Sequence, residues 1–112
     1  LPFYVLEDEG RIVGYCYAHS WKDRPAYSPS LETTVYMIAG KEGQGGGRML
    51  MGQVIEDCRQ KGYKTLIACI TAGNLLSRKF HEKLGFRQVS LFEKVGYKLG
   101  RELDVVDYQL ML

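Results

Sequence analysis

Gly40-Lys41-Glu42-Gly43-Gln44-Gly45-Gly46-Gly47 separates two unlike patterns in this 112-residue chain. Before it, Leu31 to Ala39 carries Thr33, Thr34, Val35, Tyr36 and Ile38, the β-branched and aromatic content of a strand. After it, Leu50, Val54 and Cys58 recur at helical spacing with Met51 and Ile55 beside them, while Gln53, Glu56, Asp57 and Gln60 fall on the other face. Gly62 suits the left-handed position just past that helix. A strand that runs through glycines into a helix sets unpaired helix N–H groups beside a backbone that a ligand can approach closely. Gly43 to Gly47 therefore form a candidate anion site. Two familiar glycine motifs fail here. Gly40 and Gly45 have Walker A spacing, but Gly46 stands where that loop needs Lys. The pattern G-x-G-x-x-G fails at Arg48 when counted from Gly43 and at Leu50 when counted from Gly45.

Upstream, Phe3 to Glu7 and Arg11 to His19 read as two strands joined by the turn Asp8-Glu9-Gly10. Ser20 to Ser30, with Pro25 and Pro29, reads as a loop that carries Trp21, Arg24 and Tyr27. Downstream, Lys64 to Ile70 has the near-continuous apolar run of a buried strand. Asn74 suits the N-cap of a second helix with Leu76, Phe80 and Leu84 on one face and Gly85 at its end. Two further strands are expected around Phe86 to Glu93 and Leu103 to Met111, with Gly96 and Gly100 in the turn between them. The order β-β-β-α-β-α-β-β predicts one α/β (α+β) domain over residues 1–112. Its sheet should be mixed and mostly antiparallel, with helices on its faces, and not a doubly wound nucleotide fold.

Composition narrows the class. Hydrophobic residues make up 46% and charged residues 25%, which is globular and not disordered. A net charge of +2 without a basic run argues against a nucleic-acid partner, and no apolar stretch reaches the ~18 residues of a membrane span. Cys16, Cys58 and Cys69 are odd in number and widely spaced, with no CxxC and no Cys/His cluster. Small core hydrophobes in a reducing cytoplasm are expected, with neither a disulfide framework nor a metal site.

Gly45-x-Gly47 at a helix start resembles the acetyl-coenzyme A pyrophosphate loop of the GNAT superfamily of N-acetyltransferases. Asn74-Leu75-Leu76-Ser77 and Phe80-His81-Glu82-Lys83-Leu84-Gly85-Phe86 resemble that superfamily's second cofactor helix. Arg24-Pro25-Ala26-Tyr27, Glu32-Thr33-Thr34-Val35-Tyr36 and Val95-Gly96-Tyr97-Lys98-Leu99-Gly100-Arg101 are similar to the phosphinothricin and methionine sulfoximine acetyltransferase branch, as is Leu103-Asp104-Val105-Val106. The resemblance spans essentially the whole chain, and departs from the family in two places. Glu42 stands where relatives carry Arg or Gln against the pyrophosphate. The chain is also expected to start at the family's second strand, with no counterpart of the opening strand and helices that wall the substrate cleft.

The resemblance implies acetyl transfer from acetyl-coenzyme A to the primary amine of a small molecule, an amino acid or a toxic analogue, with no metal. A base must take the amine's proton, and Glu32 is the candidate; His81 is the candidate acid for the departing thiolate or else a packing residue. Tyr36, Met37 and Ile38 would meet the thioester arm through their strand. Gly43, Gln44, Gly45, Gly46, Gly47 and Arg48 would hold the pyrophosphate, and Asn74 and Ser77 would flank the arm. Arg24 and Tyr27 would hold a substrate carboxylate, since Arg offers a two-pronged donor. A homodimer through the last two strands is also implied. The alternatives are a non-catalytic coenzyme A binding module and a nucleotide-phosphate module, the latter resting on the glycine loop alone.

Overall fold

Glycines at the ends of two amphipathic stripes set the helix boundaries. In a computed structural model that describes residues 1–112, helix α1 spans Gly46–Gln60 and α2 spans Leu75–Lys83. Gly62 and Gly85 both take the left-handed conformation, at φ 85° and 100°. Behind α1, Gly62 N–H donates to Arg59 O and Tyr63 N–H to Cys58 O; behind α2, Gly85 N–H donates to Glu82 O and Phe86 N–H to His81 O. These are paired Schellman bonds, which satisfy the last carbonyls of each helix. At the other end of α2 the Asn74 side chain accepts from Ser77 N–H at 3.1 Å, the expected cap.

Six strands form one sheet: β1 (Phe3–Asp8), β2 (Arg11–Ser20), β3 (Ser30–Met37), β4 (Thr65–Thr71), β5 (Arg87–Lys98) and β6 (Arg101–Met111). Their order is β1-β2-β3-β4-β6-β5, and every neighbouring pair is antiparallel except β3 with β4. The expected element order and sheet type are therefore observed. Cys16, Ala18, Leu31, Leu66, Ala68, Ile70, Val106 and Tyr108 of the sheet join Leu50, Met51, Val54, Ile55 and Cys58 of α1 in one hydrophobic core. Each such aliphatic side chain contributes about 1.5–3 kcal/mol by leaving water. Burial pushes the Cys16 thiol up to about 12 and raises that of Cys58, so both are packing groups. Tyr4 of β1 donates a hydrogen bond to Asp57 of α1, which ties the helix to the edge strand.

Helix α2 lies on the same face of the sheet. Tyr108, a core residue of β6, donates to Glu82 at 2.7 Å and accepts from Arg78 Nε at 3.1 Å, and its ring lies 6.4 Å from that of His81. The opposite face carries a row of stacked rings: Phe3, Tyr17, Tyr15 and Tyr36.

Three local expectations change. Leu76 is 79% exposed while His81 is 3% exposed, so the inward face of α2 is rotated by about one residue from the Leu76-Phe80-Leu84 stripe. The polar anchors Arg78 and Glu82 decide this rotation, because both must reach the one hydroxyl on β6. Strand β5 runs past Glu93 to Lys98 and holds Gly96 opposite Leu103; the turn is Leu99-Gly100 alone, both at positive φ, as a two-residue hairpin requires. Strand β3 ends at Met37, because Lys41 N–H turns back to Ile38 O and closes a turn there.

Candidate active site

The parallel pair β3–β4 stays together only at its start. Ser30, Leu31 and Glu32 lie opposite Thr65, Leu66 and Ile67, and beyond that point the two strands are not paired. Strand β4 keeps its other neighbour, β6, through Thr71. A wedge therefore opens between β3 and β4 toward their carboxyl ends, the side on which open α/β sheets take ligands. Its lining follows from strand alternation. Ile38 N–H donates to Val13 O at 2.8 Å, so the even positions of β3 turn their backbone groups toward β2. Thr33, Val35 and Met37 then turn theirs into the wedge. Of the three strand positions expected to meet an acyl arm, Met37 offers its amide there. Tyr36 supplies only a side chain on the face away from the helices, and Ile38's amide is already spent.

The glycine loop closes the mouth of this wedge. Gly45 precedes α1 at φ 88° and gives it no side-chain cap, and no acidic residue sits in the first turn. The amides of Gly46, Gly47 and Arg48 consequently have no intrahelical acceptor, and Met49 N–H is the first to find one, at Gly45 O. Gly46 is buried: a Cβ there would come within 2.6 Å of Leu6 and 2.7 Å of Met37. At Gly47 a Cβ would lie 3.3 Å from Phe80, so the missing side chain lets α1 start close against α2. The loop is braced by its own residues and by β1. Gly40 N–H donates to Glu42, Gln44 Nε2 donates to Gly40 O, and Lys41 pairs with Asp8 at 3.0 Å. Glu42 is thus folded onto the loop itself. A cleft of about 320 Å³ borders the glycine loop itself, lined by Leu6, Val13, Met37 and Met49 together with Gln44, Gly45 and Gly46.

Helix α2 starts on the other side of the mouth. Arg78 donates to Ala72 O at 2.8 Å and to Gln88 at 2.9 Å as well as to Tyr108, so one guanidinium fixes the turn that carries Asn74. With its Oδ1 capping the helix, Asn74 has its side-chain NH2 left to donate, while Ser77 has its own N–H committed to that cap. His81 is enclosed by Phe80, Phe86 and Tyr108. Its Nδ1 donates to Ser77 O at 2.8 Å, which leaves Nε2 with the lone pair. Burial lowers its pKa from the ordinary 6.5, and the bond to Ser77 only partly offsets this. The neutral ring is an acceptor. To act as an acid it must first be charged in the core, which this setting opposes.

That shift has a consequence for stability. A histidine whose folded pKa lies below its unfolded value gives stability that is complete above about pH 6.5 and is lost as pH falls toward the folded pKa, because the unfolded chain then binds the extra proton. Urea midpoints at pH 7 and pH 5 should fall further for the parent than for His81→Phe. Equal losses would show that His81 charges freely in the folded protein.

Glu32 stands where the wedge begins, half-buried on the face away from the helices. Across β2 it faces His19, whose Nε2 lies 3.9 Å from Glu32 Oε2. Two residues past Ile67 on β4, Cys69 shares that face; burial, followed by the carboxylates of Asp107 and Glu32, raises its thiol pKa. Arg24 and Tyr27 belong to the β2–β3 connection, where Pro25–Tyr27 form one 3-10 turn and Trp21 packs edge-on to Tyr27. This connection leaves β2 just after His19 and enters β3 just before Glu32, so its side chains border the same end of the strands. His19 had no local signal in the sequence, since its relation to Glu32 is set by the β2–β3 register. Arg78 was likewise an ordinary helix-surface residue until β6 was placed beneath it.

Residues 1–106 match the acetyltransferase (GNAT) domain family, and the chain belongs to that family. It is 38% identical to a phosphinothricin N-acetyltransferase of Alcaligenes faecalis over 95% of this chain and 54% of that protein. It is 32% identical to an L-methionine sulfoximine/L-methionine sulfone acetyltransferase of Salmonella typhimurium, over 99% of this chain and 65% of that one. A putative acetyltransferase from Salmonella typhimurium, solved with its cofactor acetyl-CoA, superposes with a TM-score of 0.95 at 32% identity, over 99% of this chain and 64% of that one. The chain thus spans between about half and two thirds of the length of these relatives.

Proposed function

We propose that this chain carries the acetyl-CoA site and the base of an N-acetyltransferase that acts on the primary amine of a small amino-acid-like molecule. The observation that carries this is the wedge between β3 and β4. Glu32 sits at its apex, and the glycine-opened start of α1 and the capped start of α2 stand on either side of its mouth. An extended arm with amide groups fits between two parted strands, and free N–H groups at a helix start fit a pyrophosphate. Acetyl-CoA supplies the activated acetyl group as a thioester. Gly45, Gly46, Gly47 and Arg48 bind its pyrophosphate, with Gly43 and Gln44 shaping the loop. Met37 N–H and the Asn74 amide orient the arm, and Tyr36 and Ser77 border it. Glu32 takes the proton from the incoming ammonium, leaving a neutral amine to attack. Arg24 and Tyr27 hold the carboxylate of the amino-acid-like substrate. His81 is assigned to packing. The relatives named for phosphinothricin and methionine sulfoximine support a compact amino-acid analogue as the amine.

Free-thiol release from acetyl-CoA in the presence of an amine panel tests this. Turnover with amino-acid analogues is expected. Cofactor binding with no turnover on any amine would favour the non-catalytic binding module.

The folded-back Glu42 leads to a further expected result. Its carboxylate rests on the loop whose amides would face phosphate, and two like charges at ~4 Å in water-like surroundings cost about 1 kcal/mol. Glu42→Arg should tighten acetyl-CoA binding about fivefold at low salt, with the gain shrinking at high salt. Equal dissociation constants at low salt would remove Glu42 from the phosphate site.

Association is the last part of the proposal. Val106 and Tyr108 are core residues, so the exposed apolar side chains of the last two strands are Val89, Leu91, Phe92, Val95, Tyr97 and Met111, with Leu99 in the turn between them. A twofold dimer would cover this exposed edge strand. Light scattering at micromolar concentration should give twice the monomer mass.

A further inference from the structure

The two histidines of the chain are held in opposite ways. In His81 the Nδ1–H is locked onto Ser77 O, so its tautomer is set. In His19 the Nδ1 is buried with no partner, so no hydrogen bond sets which ring nitrogen carries the proton. Its Nε2 points along the β2–β3 register toward Glu32 Oε2, 3.9 Å away. Both side chains are partly exposed, 41% for His19 and 32% for Glu32, so the imidazole is a base beside the carboxylate with its own access to water. The other titratable groups facing this pair are Tyr17 beside His19 on β2, Cys69 on β4 and Asp107 on β6. Asp107 is already hydrogen-bonded by Ser90 at 2.9 Å, and the Cys69 thiol is kept protonated by burial and the two carboxylates. Neither is free to carry protons away from Glu32.

We propose that His19 is a proton relay for Glu32, a role that rests on Glu32 being the base. The carboxylate takes one proton from the substrate ammonium, leaving a neutral amine and a neutral carboxyl. A small side-chain rotation closes the gap from 3.9 Å to a hydrogen bond of about 2.8 Å. The proton passes to His19 Nε2, giving carboxylate and imidazolium, and when the ring swings back the same Nε2–H releases it to water, since Nδ1 is buried. Each cycle thereby returns Glu32 to its charged form through a neighbouring base. His19 touches neither the amine nor the thioester and is a positioning and relay residue.

The test uses His19→Phe, His19→Gln and Glu32→Gln with acetyl-CoA and a reactive amine, together with nitrogen NMR of the two imidazoles in the parent. Both His19 variants should lose roughly tenfold in kcat with the KM for the amine within twofold, and added imidazole should restore much of the loss. Glu32→Gln should lose more and gain nothing from imidazole. The parent's His19 nitrogens should report a mixture of tautomers while His81 reports the Nδ1–H form alone. If His19→Gln keeps the parent kcat, the side chain serves only as a hydrogen-bonding spacer and the relay is overturned. A single locked tautomer at His19 also overturns it. Full activity in Glu32→Gln would remove the base and the relay together, as would a parent that turns over no amine. Loss in Glu32→Gln with normal turnover in both His19 variants would remove the relay alone.

Discussion

Glu32→Gln should lower turnover by roughly 10²–10⁴ while leaving the dissociation constant of acetyl-CoA within about twofold, because the amide keeps the shape of the side chain and loses its basicity. The contrast between the two readouts follows from position. Glu32 lies at the apex of the wedge, level with Ile67, on the face away from the helices. The amides proposed to face phosphate begin beyond the end of β3, at Gly46. A change at the apex should therefore reach the amine and not the pyrophosphate. Steady-state kinetics and calorimetry on the same preparation check this. Turnover within a few-fold of the parent would place the base elsewhere, and a large loss of cofactor affinity would make Glu32 part of the binding site.

Gly14→Val should cost about 3 kcal/mol of folding stability and lower Tm by roughly 12–24 °C, at about 4–8 °C per kcal/mol for a domain of this size. Gly14 lies in the middle of β2, opposite Met37, and is buried. A Cβ there would sit 2.8 Å from Tyr36 O and also strike the Met37 side chain. Methionine can swing away, but a backbone carbonyl within a paired strand cannot move without breaking its ladder. The site should feel the change as well, because Tyr36 and Met37 form the wedge-side end of β3. Thermal unfolding followed by circular dichroism checks the stability loss. A Tm within a few degrees of the parent would mean that β2 and β3 separate at low cost here.

Both predictions depend on features of different origin. The glycine run, Gly62, Gly85 and the Asn74 cap were legible because each acts over a handful of neighbouring residues: a positive φ, a turn or a capping bond needs no distant partner. The α1 stripe was legible because a long helix on a sheet repeats every 3.6 residues. In α2 the same reasoning misplaced the inward face by a residue. Its nine residues give the periodicity little length to show itself, and two polar contacts to Tyr108 override it. The continuation of β5 through Gly96 was hidden because glycine in a turn and glycine in a bulged strand look alike in one dimension.

By itself the sequence determined the order of elements, the glycine-opened helix, the helix ends and the family's motifs, all of which are written in local chemistry. The tertiary structure alone decided where β3 leaves β4, which amides of β3 face the gap, that His19 stands across from Glu32, and that His81 is buried in the core with its Nδ1–H held by Ser77 O. Those four depend on strand register and on which face of an element meets another. Register is the outcome of pairing residues far apart in the chain, so no single stretch of sequence carries it.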